Sequence, residues 1–180
     1  TLLGSTVADL GVVMALFLGI VLSSLFAGEW HDNTSALVLT TRNGWGKIDL
    51  AKILTGLAFT VELFALLAVS SVISQLIFMG TAGWDMPIQN IKLIAVAPMN
   101  MLQAEIYEYA FVLLGAIGFA GIVMFISAAV KNNVLTLLLS LAVVYGPMMI
   151  AEYLPYGMQK ALDLIPLVGS STDIFRTNTF

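Results

Sequence analysis

Four apolar stretches dominate the pattern of hydrophobic and polar positions along the chain. They cover residues 10–27, 53–80, 109–130 and 134–153. A run of about 18 or more mainly apolar residues is long enough to cross the hydrocarbon core of a bilayer as an α-helix. The pattern therefore predicts an all-α fold, a polytopic bundle of about four transmembrane helices in a single transmembrane domain.

The polar segments between these stretches differ in length and character. Residues 28–52 form the longest polar interruption, and their few apolar residues favour a short amphipathic helix at a membrane face over a further span. Residues 81–108 contain two prolines, which exclude one continuous helix there. Residues 131–133 leave room for only a tight hairpin between the last two spans. The polar tail and the start at Thr1 suggest a piece of a longer protein.

Composition agrees with a membrane protein and excludes several kinds of chemistry. Hydrophobic residues make up 59% and charged residues 10% of the chain, against roughly half and a quarter in soluble domains. The net charge of −4 implies no nucleic-acid partner. The absence of cysteine excludes thiolate metal sites, and a single histidine, His31, excludes a two-histidine zinc motif. Residues 44–47, Gly-Trp-Gly-Lys, lack the first glycine and the hydroxyl of a phosphate-binding loop. We therefore expect no catalytic residue, no metal ligand and no cofactor.

Basic residues near the span ends indicate the orientation in the membrane. Positively charged residues are enriched in cytoplasmic loops. Four of them lie on one side of the predicted topology, namely Arg42, Lys47, Lys52 and Lys131, and three on the other, namely Lys92, Lys160 and Arg176. We therefore expect residues 28–52 in the cytoplasm and residues 81–108 outside.

Two features within the spans are candidates for a specific role. Small residues recur at four-residue spacing in the first span, a pattern that allows helices to pack closely in lipid: Gly11, Ala15, Gly19 and Ser23. Glu62 lies inside the second span, where an ionisable group is costly unless it faces protein or water. It could belong to a translocation pathway or a conformational switch, or it could form an interhelical hydrogen bond. Glu105 and Glu108 are expected at a solvated helix entrance.

Residues 26–52 resemble the cytoplasmic signature of ABC transporter permeases of the type-2 class. That signature runs from a span into Phe-x-x-Glu, then through a threonine-bearing turn and a leucine-rich short helix to an arginine and a lysine. The matching residues are Phe26, Glu29, Thr34 or Ser35, Leu37, Leu39, Thr40, Thr41, Arg42 and Lys52. The proline that usually follows the threonines is absent, and Arg42 comes directly. Residues 127–133 are similar to a cytoplasmic hairpin of such permeases, and residues 83–89 to an external segment of Gram-positive members.

The resemblance implies a function and partners. Members have six helices per subunit, of which this chain would supply the second to the fifth. The chain would be a multi-pass subunit of a bacterial plasma-membrane exporter, without an ATP site of its own. Its short cytoplasmic helix would couple to a separate ABC ATPase subunit, and it would pair with a second permease subunit, identical or different. ATPase coupling would then involve Glu29, Thr34, Leu37, Leu39, Thr41 and Arg42.

Two other classes of protein are weighed against the permease. A non-transporting membrane scaffold or immunity protein could bind a partner through the same 28–52 loop. An intramembrane enzyme is disfavoured, because no paired-glutamate or two-histidine set lies within the spans.

Overall fold

The structure is a computed structural model that describes residues 2–31, 46–80, 84–87, 100–130, 132–151 and 153. Four α-helices account for nearly all of this part of the chain: α1 (Leu2–His31), α2 (Lys47–Met79), α3 (Met101–Val130) and α4 (Asn133–Ala151). The one β-type pairing in the described residues is an isolated bridge between Pro87 and Asn100. The predicted all-α helical bundle is therefore confirmed.

Three of the helices, α1, α2 and α3, are longer than the apolar stretches that predict them. α1 begins at Leu2 rather than at residue 10, α2 at Lys47 rather than at residue 53, and α3 at Met101 rather than at residue 109. Hydropathy marks only the part of a helix that sits in hydrocarbon, whereas helical hydrogen bonding continues into the headgroup region. The 33 residues of α2 span about 50 Å, against about 30 Å of hydrocarbon.

Three of the helices, α1, α2 and α3, are long and apolar enough to cross a membrane. The apolar part of α4 is shorter than those of the other three helices and covers Asn133–Gly146. The whole of α4 has 19 residues, which corresponds to about 28 Å and is close to the thickness of the hydrocarbon core. The described residues thus contain three helices able to span a membrane and a fourth of nearly sufficient length.

Local sequence explains where the helices begin and end. Gly80 adopts a φ of 63°, which only glycine tolerates readily, and its N–H donates to the carbonyl of Leu76, 3.1 Å away, so α2 stops there. The side-chain oxygen of Asn132 accepts hydrogen bonds from the N–H groups of Val134 (3.0 Å) and Leu135 (3.2 Å). Asn132 is therefore the N-cap of α4 and allows a tight turn after α3.

α1 and α3 together form the centre of the bundle. α1 packs against all three other helices and most extensively against α3, while α2 and α4 each pack against both α1 and α3. The core consists of apolar side chains from α1, α3 and α4: Leu10, Met14, Ala15, Leu18, Leu22, Val112, Ala116, Phe119, Ala120, Val123, Met124 and Val144. α2 is much less buried than α1 or α3. It therefore lies at the edge of the bundle with one face uncovered.

Candidate functional site

The C-terminal halves of α1 and α3 are joined by one buried hydroxyl. Ser127 on α3 donates to the carbonyl of Ser23 (2.8 Å) and accepts from the N–H groups of Ala27 (3.0 Å) and Phe26 (3.2 Å). The carbonyl of residue 23 and the N–H of residue 27 are the two groups that an α-helix normally joins to each other. Ser127 thus fastens α3 to the backbone of α1 close to the 28–52 loop.

The first turns of α2 are held to the same part of α1. The ammonium group of Lys52 lies 4.8 Å from the centroid of the Phe26 ring, within the range of a cation–π interaction. Phe26 also donates its backbone N–H to the Ser127 hydroxyl. We call Phe26, Lys52 and Ser127, with the backbone of residues 23–27, the loop-side junction. It connects both helices that flank the 28–52 loop to a third helix.

The residues expected to couple to an ATPase are only partly within the described structure. Glu29 lies in the last turn of α1, although its side chain is not among those described. Five further candidates lie outside the described residues, namely Thr34, Leu37, Leu39, Thr41 and Arg42. The expected short amphipathic helix falls in the same undescribed segment. The structure describes the two helix ends that flank this segment, the end of α1 and the start of α2.

The small residues of the first span all face the interior of the bundle. Gly11, Ala15, Gly19 and Ser23 are buried. A Cβ added to Gly19 would lie 3.5 Å from Leu137 and 3.5 Å from the hydroxyl of Ser140, so α1 approaches α4 closely there. The hydroxyl of Ser23 donates to its own helix, to the carbonyl of Ile20 (2.9 Å).

α2 approaches the bundle closely at Gly56, a position that no sequence pattern marks. A Cβ at this position would lie 2.7 Å from the sulfur of Met124, and within 3.4 Å of Leu22 and Leu25. Nearby, Thr60 is fully buried, and its hydroxyl donates to the carbonyl of Gly56 (2.8 Å). A buried hydroxyl that bonds within its own helix needs no partner from α1 or α3.

Glu62 points away from the bundle. It is exposed, whereas Thr60, two residues earlier and so on the opposite side of the helix, is fully buried. The interhelical hydrogen bond weighed as one role for Glu62 is therefore not found within the described bundle. At 1.5 Å per residue, Glu62 lies about 15 Å beyond Lys52, close to the middle of a hydrocarbon layer of about 30 Å.

A polar cluster joins α2 and α3 at the opposite end from the loop-side junction. The hydroxyl of Tyr109 donates to the hydroxyl of Ser71 (3.0 Å), and Gln75 and Glu105 also lie around it. The Tyr109 ring packs edge-on against Phe64, with 6.4 Å between centroids. Polar groups that bind across helices in this way hold membrane helices together.

The environment of Glu105 differs from the sequence expectation. Glu105 was expected in a solvated helix entrance, but α3 already begins at Met101, so Glu105 lies one turn inside the helix. Its Oε1 atom and the Nε2 atom of Gln75 are buried without a hydrogen-bond partner among the described residues. The start of α3 is instead covered by the segment before it, since the N–H groups of Met101 and Leu102 donate to carbonyls of residues 84–87.

Among the described residues, no group of three or more His, Cys, Asp or Glu side chains could hold a metal ion. Comparisons with protein-family models, with curated proteins and with solved structures found no match. The geometry of the loop-side junction, the position of Glu62 and the resemblance of residues 26–52 are thus the observations from which a function is inferred.

Proposed function

We propose that this chain is a permease subunit of an ABC exporter of the type-2 class in a bacterial plasma membrane. A separate ATPase subunit would supply the energy, and a second permease subunit, identical or different, would complete the membrane part. The proposal originates in the resemblance of residues 26–52 and is supported by the helical membrane bundle.

The observation that carries the proposal is the contact between Lys52 and Phe26. These residues open and close the stretch that resembles a coupling segment, and they lie together at its base. A force applied to the loop therefore acts on α1 and α2 jointly. Ser127 passes that force to α3, because its hydroxyl is bonded to the backbone of α1.

The mechanism follows from this connection. ATP-driven closure of two nucleotide-binding subunits would displace residues 29–42, which they grip. α1 and α2 are long helices whose bases are fixed to each other, so they would move as levers and not unwind locally. Their tilt relative to α4 and to the second permease subunit would open and close a path for the substrate. In this mechanism the 28–52 loop is the binding site for the ATPase subunit, and the spans are the part of the chain that moves.

ATPase coupling in native membranes tests the proposal. A nucleotide-binding subunit should co-purify with the chain, and its ATPase activity should depend on the chain. Glu29→Ala and Leu37→Ala should each reduce this dependence by about tenfold, which corresponds to a loss of about 1.4 kcal/mol of interaction free energy. The matched control is Asp85→Ala, which removes an exposed carboxylate at the other end of the bundle.

Two outcomes would contradict the proposal. If the chain purifies with a partner that has no ATPase activity, it is a scaffold or immunity protein that binds through the same loop. If ATPase activity co-purifies but responds equally to Glu29→Ala and Asp85→Ala, the 28–52 loop is not the coupling element.

A further inference from the structure

The uncovered face of α2 carries a carboxyl group in the middle of the membrane. Glu62 is exposed, and it is the one charged residue within 10–28, 53–78, 109–130 and 133–146, the apolar parts of the four helices. A charged side chain at the centre of a bilayer costs from about 2.5 to more than 10 kcal/mol when it faces lipid. No described helix of this chain offers a cation at that depth. We therefore expect a partner for this carboxyl from outside the described bundle.

The residues around Glu62 allow a helix to approach closely. Three side chains one or two turns away on the same side of α2 are short and exposed, namely Thr55, Ala58 and Ala65, and they lie beside the larger exposed side chain of Leu66. Small side chains let two backbones come near each other, which is how helices gain dispersion contacts in lipid. Farther along, the same face continues with the exposed side chains of Val69 and Ile73. The face is thus about five turns long and has its single charged group near the centre.

We propose that this face of α2 binds a transmembrane helix that is not part of this 180-residue chain and that carries a lysine or arginine at mid-membrane depth. Charge complementarity selects this occupant. A second copy of the chain would place a second carboxyl against Glu62, whereas a basic side chain neutralises it. The pair would be shielded from lipid by the contact over Thr55, Ala58 and Ala65. The inference does not depend on the proposed transport function.

Photo-crosslinking in native membranes tests the proposal. A photoreactive residue replaces Ala58 on the proposed face, and the control replaces Val143, an exposed residue of α4 at comparable distance from the loop-side end. The expected result is an adduct from position 58 alone, with the crosslinked peptide identified as a membrane helix that contains Lys or Arg. Glu62→Leu should reduce its yield by about tenfold or more, equivalent to about 1.4 kcal/mol of association free energy.

Charge exchange makes the test specific. Glu62→Lys should abolish the adduct, and replacement of the partner's basic residue by Glu should restore it. Because Glu62 is exposed, both variants should keep the thermal unfolding temperature of the parent chain. Adducts with a second copy of the chain, adducts with lipid alone, or a protein adduct that persists in Glu62→Leu would overturn the proposal.

Discussion

The ammonium group of Lys52 lies 4.8 Å from the centre of the Phe26 ring, so the C-terminal end of α1 and the first turns of α2 meet in a direct contact. A double-mutant cycle with Phe26→Leu and Lys52→Met measures this contact. We expect a coupling free energy of about 0.5–2 kcal/mol in unfolding from detergent micelles, the usual range for cation–π pairs. Additive effects of the two changes would mean that the loop ends are held by something else.

Ser127→Ala should weaken the association of α1 with α3. The hydroxyl makes three hydrogen bonds to the backbone of α1, and interhelical hydrogen bonds in membranes contribute about 0.6–1.7 kcal/mol. Ser140→Ala is the control, because Ser140 is equally buried but donates to a carbonyl of its own helix. In mixed micelles the free energy of unfolding should fall for Ser127→Ala and stay almost unchanged for Ser140→Ala. Equal losses of unfolding free energy in the two variants would contradict an interhelical role for Ser127.

Gly56→Leu should separate α2 from the bundle. Even a Cβ at this position would lie 2.7 Å from the sulfur of Met124, and a leucine also meets Leu22 and Leu25. We expect a loss of about 1–3 kcal/mol in unfolding free energy. Gly118→Leu makes the same chemical change at an exposed helical position with open space around it, and stability should be unaffected or slightly higher. An unchanged free energy of unfolding in Gly56→Leu would contradict the close approach of α2 to α1 and α3.

Gln75→Leu should leave stability unchanged or increase it. The Nε2 atom of Gln75 is buried without a partner among the described residues, and an unsatisfied buried donor costs about 1–3 kcal/mol. Ser71→Ala, by contrast, removes the acceptor of the Tyr109 hydroxyl and should destabilise the α2–α3 pair by about 1 kcal/mol. Thermal unfolding in detergent distinguishes the two. A clear loss in Gln75→Leu would show that the amide binds a group outside the described residues.

The orientation of the bundle can be tested with single cysteines, because the chain has none of its own. Ser35→Cys, in the 28–52 loop, should react with a membrane-impermeant maleimide only after the cells are opened. Asp85→Cys, at the other end of the bundle, should react in intact cells. The reverse pattern would place the loop outside, where no ATP-hydrolysing subunit operates.

The sequence predicts the helices well, because in lipid every backbone polar group must be satisfied within its own segment. Apolar runs of bilayer length therefore indicate helices, as the three long spans α1, α2 and α3 illustrate. The sequence locates helix ends less well, since polar residues such as Glu105 lie inside a helix that continues beyond the hydrocarbon.

Apart from the face of small residues on α1, contacts between helices could not be predicted from the sequence. Ser127 is one serine among many in the spans, and only its position opposite the backbone of residues 23–27 distinguishes it. The outward orientation of Glu62 likewise depends on which side of α2 packs against α1 and α3. Hydropathy marks a helix as membrane-spanning, but it does not identify the side that meets protein.

The proposed gripping of residues 29–42 by an ATPase subunit is tested most directly by crosslinking from the loop. A photoreactive residue at Leu37, in cells that express the chain with its natural neighbours, should form an adduct with a protein that binds and hydrolyses ATP. The same photoreactive residue in place of Asp85 should form no adduct with that protein. An adduct from Leu37 with a protein that binds no nucleotide, or none with any protein, would contradict the account.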